Sequence, residues 1–230
     1  MTPAPPWPEA AYRVDLPDPD DIRAAAAGVF RRAWRVTLNE PGFAVVRFAG
    51  PVASHALRRA MLRLVEAFPA RFVPERLGRF DQQVTSRFHR DGAPPASLLV
   101  LGYEPSAVRS RVWVADAHRA ARDAGLGITD YLARFNPMLP AGEAALRPYT
   151  TELAVPHGEP YLVVLNNSLF PDGGDGYRPL GVLHKAEVPD PDPVAARVIN
   201  SAGLMIAGDP DGLPLPAAAV EQFLARTDLD

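Results

Sequence analysis

The sequence predicts a mainly β fold with flanking α-helices, its short strands closed or stacked into a barrel-like body behind N-terminal helices. Three observations carry that prediction. Two helical patterns precede residue 70, and from Phe80 onward the apolar period shortens from about 3.6 residues to about 2. Turn residues punctuate the later segments, the 26 prolines of the 230-residue chain being dispersed among apolar runs and not gathered in one tract. The composition, 47% hydrophobic and 22% charged, is that of an ordinary globular chain. It suits a single domain over 21–230, with a loose N-terminus at 1–20.

Each element has its own justification. Residues 20–33 open with Asp20 and Asp21, which suit a helix N-terminus, and continue through alanines. Asn39-Glu40-Pro41-Gly42 makes a turn, and 43–48 is a β-rich run that ends before Gly50-Pro51. Over 52–68, Val52, Ala56, Leu57, Ala60, Met61, Leu64, Val65 and Phe68 recur at helical spacing, with Arg58, Arg59, Arg63 and Glu66 between them. Strands are expected at about 80–89, 97–103, 161–168, 180–188 and 196–206. An insertion at about 104–158 interrupts them with two helices, 114–124 and 129–135, the second opening on Thr129 as its cap. A last helix covers 217–226.

Charge narrows the function classes. A net charge of −3 and a pI near 6.0 disfavour a protein whose work is gripping phosphate backbone. The short knot Arg31-Arg32-Ala33-Trp34-Arg35 reads as a solvated helix face. No apolar run reaches the ~18 to 20 residues that span a bilayer, and the first residues lack the parts of a signal peptide, so no membrane partner and a cytoplasmic location are expected. The chain has no cysteine, so a metal would be held by imidazole and carboxylate.

One constellation points to chemistry. His89 and Asp91 stand two apart at the end of a predicted strand, where a period of two turns both to one face. His184 lies in another strand and is placed to supply a third ligand from across the barrel. Two imidazoles and one carboxylate on one side of an ion form the facial triad that suits non-haem Fe(II). The alternative is a surface pair at His89 and Asp91 with a satisfied core histidine at His184. Arg197 follows His184 by thirteen residues, past the loop Pro189-Asp190-Pro191-Asp192-Pro193, so the two flanking strands form a hairpin. With Arg197 inward, Ile199 and Ser201 face inward too, and the guanidinium fork and hydroxyl suit a carboxylate.

The order His89-x-Asp91, His184, Arg197 resembles the Fe(II)/2-oxoglutarate-dependent dioxygenases, and the resemblance covers roughly residues 38–206. It implies a double-stranded β-helix, a jelly-roll or cupin-like barrel. It further implies Fe(II) on His89, Asp91 and His184, 2-oxoglutarate as co-substrate with its C5 carboxylate on Arg197, and O2. Two departures stand out. Ser201 is at Arg197 plus four, with Ile199 at plus two, which puts Ser201 in doubt as a co-substrate contact, and the separation of 95 from His89 to His184 is long, which the insertion accounts for. The implied reaction is hydroxylation of an unactivated C–H bond, since the carboxylate position that halogenases leave to chloride is filled by Asp91.

Alternation back from His89 points Arg87, Thr85 and Gln83 inward, with Arg87 the first choice for a substrate or co-substrate carboxylate. Tyr103 and Asn166 or Asn167 are placed to reach the pocket rim, though turn formation also accounts for the asparagines. His118 and His157 read as surface residues, and Lys185 should point outward. The insertion is expected to fold over the open metal positions as a lid. The expected partner is a small molecule, an amino acid or a natural-product intermediate, with the oligomeric state left open. The rivals are a peptide or protein side-chain hydroxylase and a catalytically inactive β-barrel that binds a ligand.

Overall fold

Long-range strand pairing organises the chain. The computed structural model describes residues 6–92, 94–168, 179–208 and 213–230. In chain order these form α1 (Glu9–Tyr12), β1 (Arg13–Leu16), α2 (Ile22–Ala33), β2 (Phe43–Phe48), α3 (Ser54–Glu66), β3 (Phe72–Asp81), β4 (Ser97–Tyr103) and β5 (Arg111–Ala115). There follow α4 (Ala117–Asp123), α5 (Ile128–Arg134), α6 (Pro140–Leu146), β6 (Thr150–Glu152), β7 (Tyr161–Asn166), β8 (Leu183–Glu187), β9 (Val198–Ile206) and α7 (Ala217–Ala225).

A large sheet in the order β1-β2-β7-β4-β9-β3 faces a small one in the order β6-β5-β8. All pairings are antiparallel except β1 with β2. The period of two sorts the side chains into layers. Ala44, Val46, Leu98, Val100, Leu162, Val164, Ala202 and Leu204 face α2 and α3, where they meet Val29, Leu57, Met61 and Leu64. The opposite face, with Phe43, Val45, Leu99, Leu101, Tyr103, Val163 and Ile199, meets Val112 and Val114 of the small sheet and Val182 just before β8. The mainly β architecture with helices behind it is therefore as the sequence predicts.

The N-terminus departs from expectation. Residues 9–16 are not loose, because β1 adds in parallel to β2 from Arg13 against Val45 to Leu16 against Phe48. Leu16 is buried within that strand, and Tyr12, which ends α1 just before it, is buried against Phe43. A four-residue strand with two charged positions shows too little alternation to be seen without its partner.

The insertion also departs. Helices α4 to α6 do not roof the space between the sheets; they lie on the outer face of the small sheet, where Ala117, Ala121, Tyr131 and Leu146 pack with Ala115 and Leu183. A buried ion pair fixes them there. Arg35 donates from Nη1 and Nη2 to the two carboxylate oxygens of Asp116 at 2.6 and 2.9 Å, and from Nε to the Leu180 carbonyl. Gly42 makes room for it, with φ at +82° and a position where a Cβ would lie 2.7 Å from Arg35 Nε. Arg35 thus leaves the solvated face expected of it. The cap of α5 is Gly127, and Thr129 sits inside the first turn.

Candidate metal centre

The centre is built on one pair of backbone hydrogen bonds. His89 N–H donates to the His184 carbonyl at 3.0 Å, and His184 N–H donates to the His89 carbonyl at 2.9 Å. This antiparallel bridge places the two side chains on one face. The imidazole centroids are 4.4 Å apart. Asp91 brings Oδ1 to 3.4 Å from His89 Nε2, and one ligand atom from each of the three residues lies within 4.8 Å of the others. Asn167 steadies the carboxylate's backbone, its Nδ2 donating to the Asp91 carbonyl at 3.2 Å.

Proton placement favours a ligand set. His89 Nδ1 lies 2.6 Å from the Arg87 carbonyl, an acceptor that fixes the ring's orientation and leaves Nε2 facing Asp91. Burial, with His89 adding to it, pushes the His184 imidazole down to about 4, so it is neutral at pH 7. The hydrogen bond to His89 holds the Asp91 carboxyl below its usual range, against the opposing effect of burial. Asp91 in turn raises His89.

A cavity of about 140 Å³ adjoins the three residues, lined also by Gln82, Tyr103, Ile199 and Phe80. No residue of 104–158 lines it, so the lid expected of the insertion is not found there. Tyr103 also borders a smaller cavity of about 50 Å³ that contains Arg197. Arg197 is 2% exposed. Its Nη1 donates to Gln82 Oε1 at 2.7 Å, and its Cζ lies 5.1 Å from the Tyr103 ring centroid. Its Nη2 is buried with no hydrogen-bond partner among the described residues. A buried cation with a spare donor is a site that an anion completes.

Four other expected contacts fall elsewhere. Arg87 does not face the cavity; it pairs with Glu143 at 3.1 Å on the outer side. Between the Ser86–Ala186 and His89–His184 hydrogen bonds the first segment advances three residues and β8 only two. That extra residue breaks the alternation. Gln83 is drawn to Asp81, the Ala195 carbonyl and the Asp192 N–H, because β3 has already ended at Asp81. Thr85 likewise bonds the Val188 N–H at the end of β8. Asn166 is fully buried away from the cavity, its amide on the Arg35 carbonyl and the Ser168 N–H.

Tyr103 does line the cavity, stacked on Tyr161 with centroids 4.5 Å apart. Burial raises its phenol above the ordinary value, against the opposing effect of Arg197, and keeps it a donor. Ser201 shares a face with Arg197 and Ile199 along β9 but does not line either cavity. His157 is exposed, whereas His118 is partly buried beside Arg35 and Asp116. Sequence reasoning missed Gln82, one position from the expected Gln83, and Arg76, whose Nη2 comes to 3.7 Å from Asp91 Oδ2.

No family model matches the chain, and no curated protein matches it. The solved structures that resemble it in fold include these two. One is AAD-2 in complex with Mn(II) and N-oxalylglycine, at 13% identity and TM-score 0.41, over 88% of this chain and 97% of that one. The other is a taurine dioxygenase from Burkholderia xenovorans, at 12% identity and TM-score 0.46, over 96% of this chain and 99% of that one. Neither likeness assigns a residue, and the reading of the site rests on its own side chains.

Proposed function

We propose that the chain is an Fe(II)- and 2-oxoglutarate-dependent oxygenase that hydroxylates an unactivated C–H bond of a small molecule, with its two sheets as the walls of a double-stranded β-helix. The observation that carries this reading is the convergence of His89, Asp91 and His184 on one face beside a cavity, with the buried, incompletely bonded Arg197 close by. Two imidazoles and a carboxylate with open positions opposite suit Fe(II). When bound, the iron with 2-oxoglutarate and O2 would supply the oxidation of the C–H bond, with succinate and CO2 released.

The chain's own residues then have separable tasks. His89 and His184 present imidazole nitrogens and Asp91 a carboxylate charge. Arg197 takes a carboxylate of the co-substrate on its unbonded Nη2, and Gln82 holds the other arm of the guanidinium in place. Phe80, Leu101 and Ile199 give the cavity an apolar wall that limits water at the reacting centre. A cavity of about 140 Å³ is below the roughly 300 Å³ at which drug-sized ligand pockets begin, and this favours a small substrate over a peptide. No described helix is long and apolar enough to cross a membrane, in keeping with a cytoplasmic enzyme.

Anaerobic titration with Fe(II) and 2-oxoglutarate tests the proposal through the visible charge-transfer absorption of the chelated complex. The band is expected in the wild type and lost in His184→Ala and Arg197→Ala. Absence of both the band and retained metal in the wild type would replace this reading with that of a ligand-binding module.

A further inference from the structure

A larger cavity, about 550 Å³, lies on the other side of the small sheet, between its outer face and α6. The reaction proposed above makes no use of it. Its size falls within the ~300–1,000 Å³ typical of small-molecule sites. The floor is Lys185, the only lysine in the chain, 8% exposed and bonded from Nζ to Glu143 at 2.5 Å and Glu187 at 2.8 Å. Phe88 and Trp113 form apolar walls, their ring centroids 5.1 and 5.7 Å from Lys185 Nζ.

The charge balance of the lining gives the ligand's sign. Four cations, Arg87, Arg111, Arg147 and Lys185, face two carboxylates, Glu143 and Glu187, in a chain whose net charge is −3. Glu143 is shared between Lys185 and Arg87, and Arg111 is held bidentately by Glu152 at 2.6 Å on each oxygen. Arg147 has no carboxylate partner among the described residues and stands exposed at the rim. Aromatic walls with an uncommitted guanidinium at the mouth suit an apolar body that carries a negative group.

We propose that this outer cavity is a second binding site, for a small organic carboxylate with an aromatic or similarly flat body, apart from the metal pocket. Lys185 is the one lining residue that the two cavities share. The site requires no metal and stands or falls independently of the oxygenase reading.

Calorimetric titration of the metal-free full chain with 1-naphthoate tests it, with 1-naphthalenemethanol as the uncharged control and acetate as the ringless one. Saturable binding of naphthoate at one site is expected, at least about tenfold tighter than either control. Arg147→Gln should weaken it about tenfold. Ala144→Trp, which fills the cavity from exposed α6, should abolish it. Arg197→Met should leave it unchanged. The proposal is overturned if naphthoate fails to bind at millimolar concentration, if binding survives in Ala144→Trp, or if Arg197→Met removes it, since the last result would place the probe in the metal pocket.

Discussion

Replacing Arg197 by Met should separate stability from binding. In the ligand-free protein this guanidinium is a buried cation that has, among the described residues, one side-chain hydrogen bond, to Gln82, one aromatic face, that of Tyr103, and no carboxylate partner. Its removal loses about 1.5–3 kcal/mol of charged hydrogen bond and roughly 0.5–2 kcal/mol of cation–π attraction. Against this stands the cost of a buried charge without a counter-ion, several kcal/mol, together with the unbonded Nη2 at about 1–3 kcal/mol. The backbone bond from Arg197 N–H to Asp81 survives the substitution, and Met fills most of the stem's volume. The two sides nearly cancel, so the ligand-free variant should match the wild type within about 1 kcal/mol. Affinity for 2-oxoglutarate should instead fall about 10²- to 10⁴-fold, the worth of two charge-assisted hydrogen bonds. Urea unfolding with Mn(II) present, with and without 2-oxoglutarate, reads both quantities. A variant that loses more than about 3 kcal/mol without ligand, yet keeps the ligand's stabilisation, would refute the reasoning.

Further outcomes follow from other contacts. Asp116→Ala should cost about 3–5 kcal/mol by stranding the buried Arg35, whereas the double variant Arg35→Met with Asp116→Leu should recover much of that loss, as read from urea midpoints. Arg87→Ala should leave metal and 2-oxoglutarate affinity within about twofold, because only its backbone carbonyl serves the centre and its exposed pair with Glu143 is worth about 0–1 kcal/mol; calorimetry decides. Burial, with Arg35 adding and Asp116 opposing, pushes the His118 imidazole down to about 4. The unfolded chain therefore takes up that proton first, and stability should fall by up to roughly 3 kcal/mol as pH drops from about 6.5 to about 4. His118→Gln should flatten that fall, and equal urea midpoint shifts between pH 7 and pH 4.5 in both proteins would contradict it.

The parts legible in the sequence were those that depend on residue type and local period. Leu98–Leu101 is a continuous apolar run and stands within β4 over the span expected of it, while the helical spacing of Leu57, Ala60, Met61 and Leu64 marks α3 to within two residues at each end. His89, Asp91 and His184 come together as anticipated because a backbone bridge aligns them. Facing directions failed where pairing partners decide them. The end of β3 at Asp81 and the extra residue after Ser86 exchange Gln82 for Gln83 and turn Arg87 outward. The middle of β3 interrupts the apolar pattern with Glu75 and Arg76 because the strand is a sheet edge, where Arg76 stands exposed. Arg58 reads as a solvent residue of α3, yet it is 2% exposed and donates to the Leu224 and Arg226 carbonyls at the far end of the chain. An amphipathic pattern also does not say which face of a sheet a helix will choose, and so the insertion's position on the outside of the small sheet was not readable.

The middle of β8 sends neighbouring side chains opposite ways, the His184 imidazole toward Asp91 and the metal pocket and the Lys185 ammonium toward Glu143 and Glu187 at the outer cavity. A frame-preserving deletion or insertion of one residue inside this strand would exchange the two assignments, carrying an ammonium between the sheets and an imidazole beneath α6. Length variation should therefore be tolerated far less in this five-residue strand than substitution at either position. Relatives of the chain that differ in size are expected to carry their extra residues in the loops before and after it.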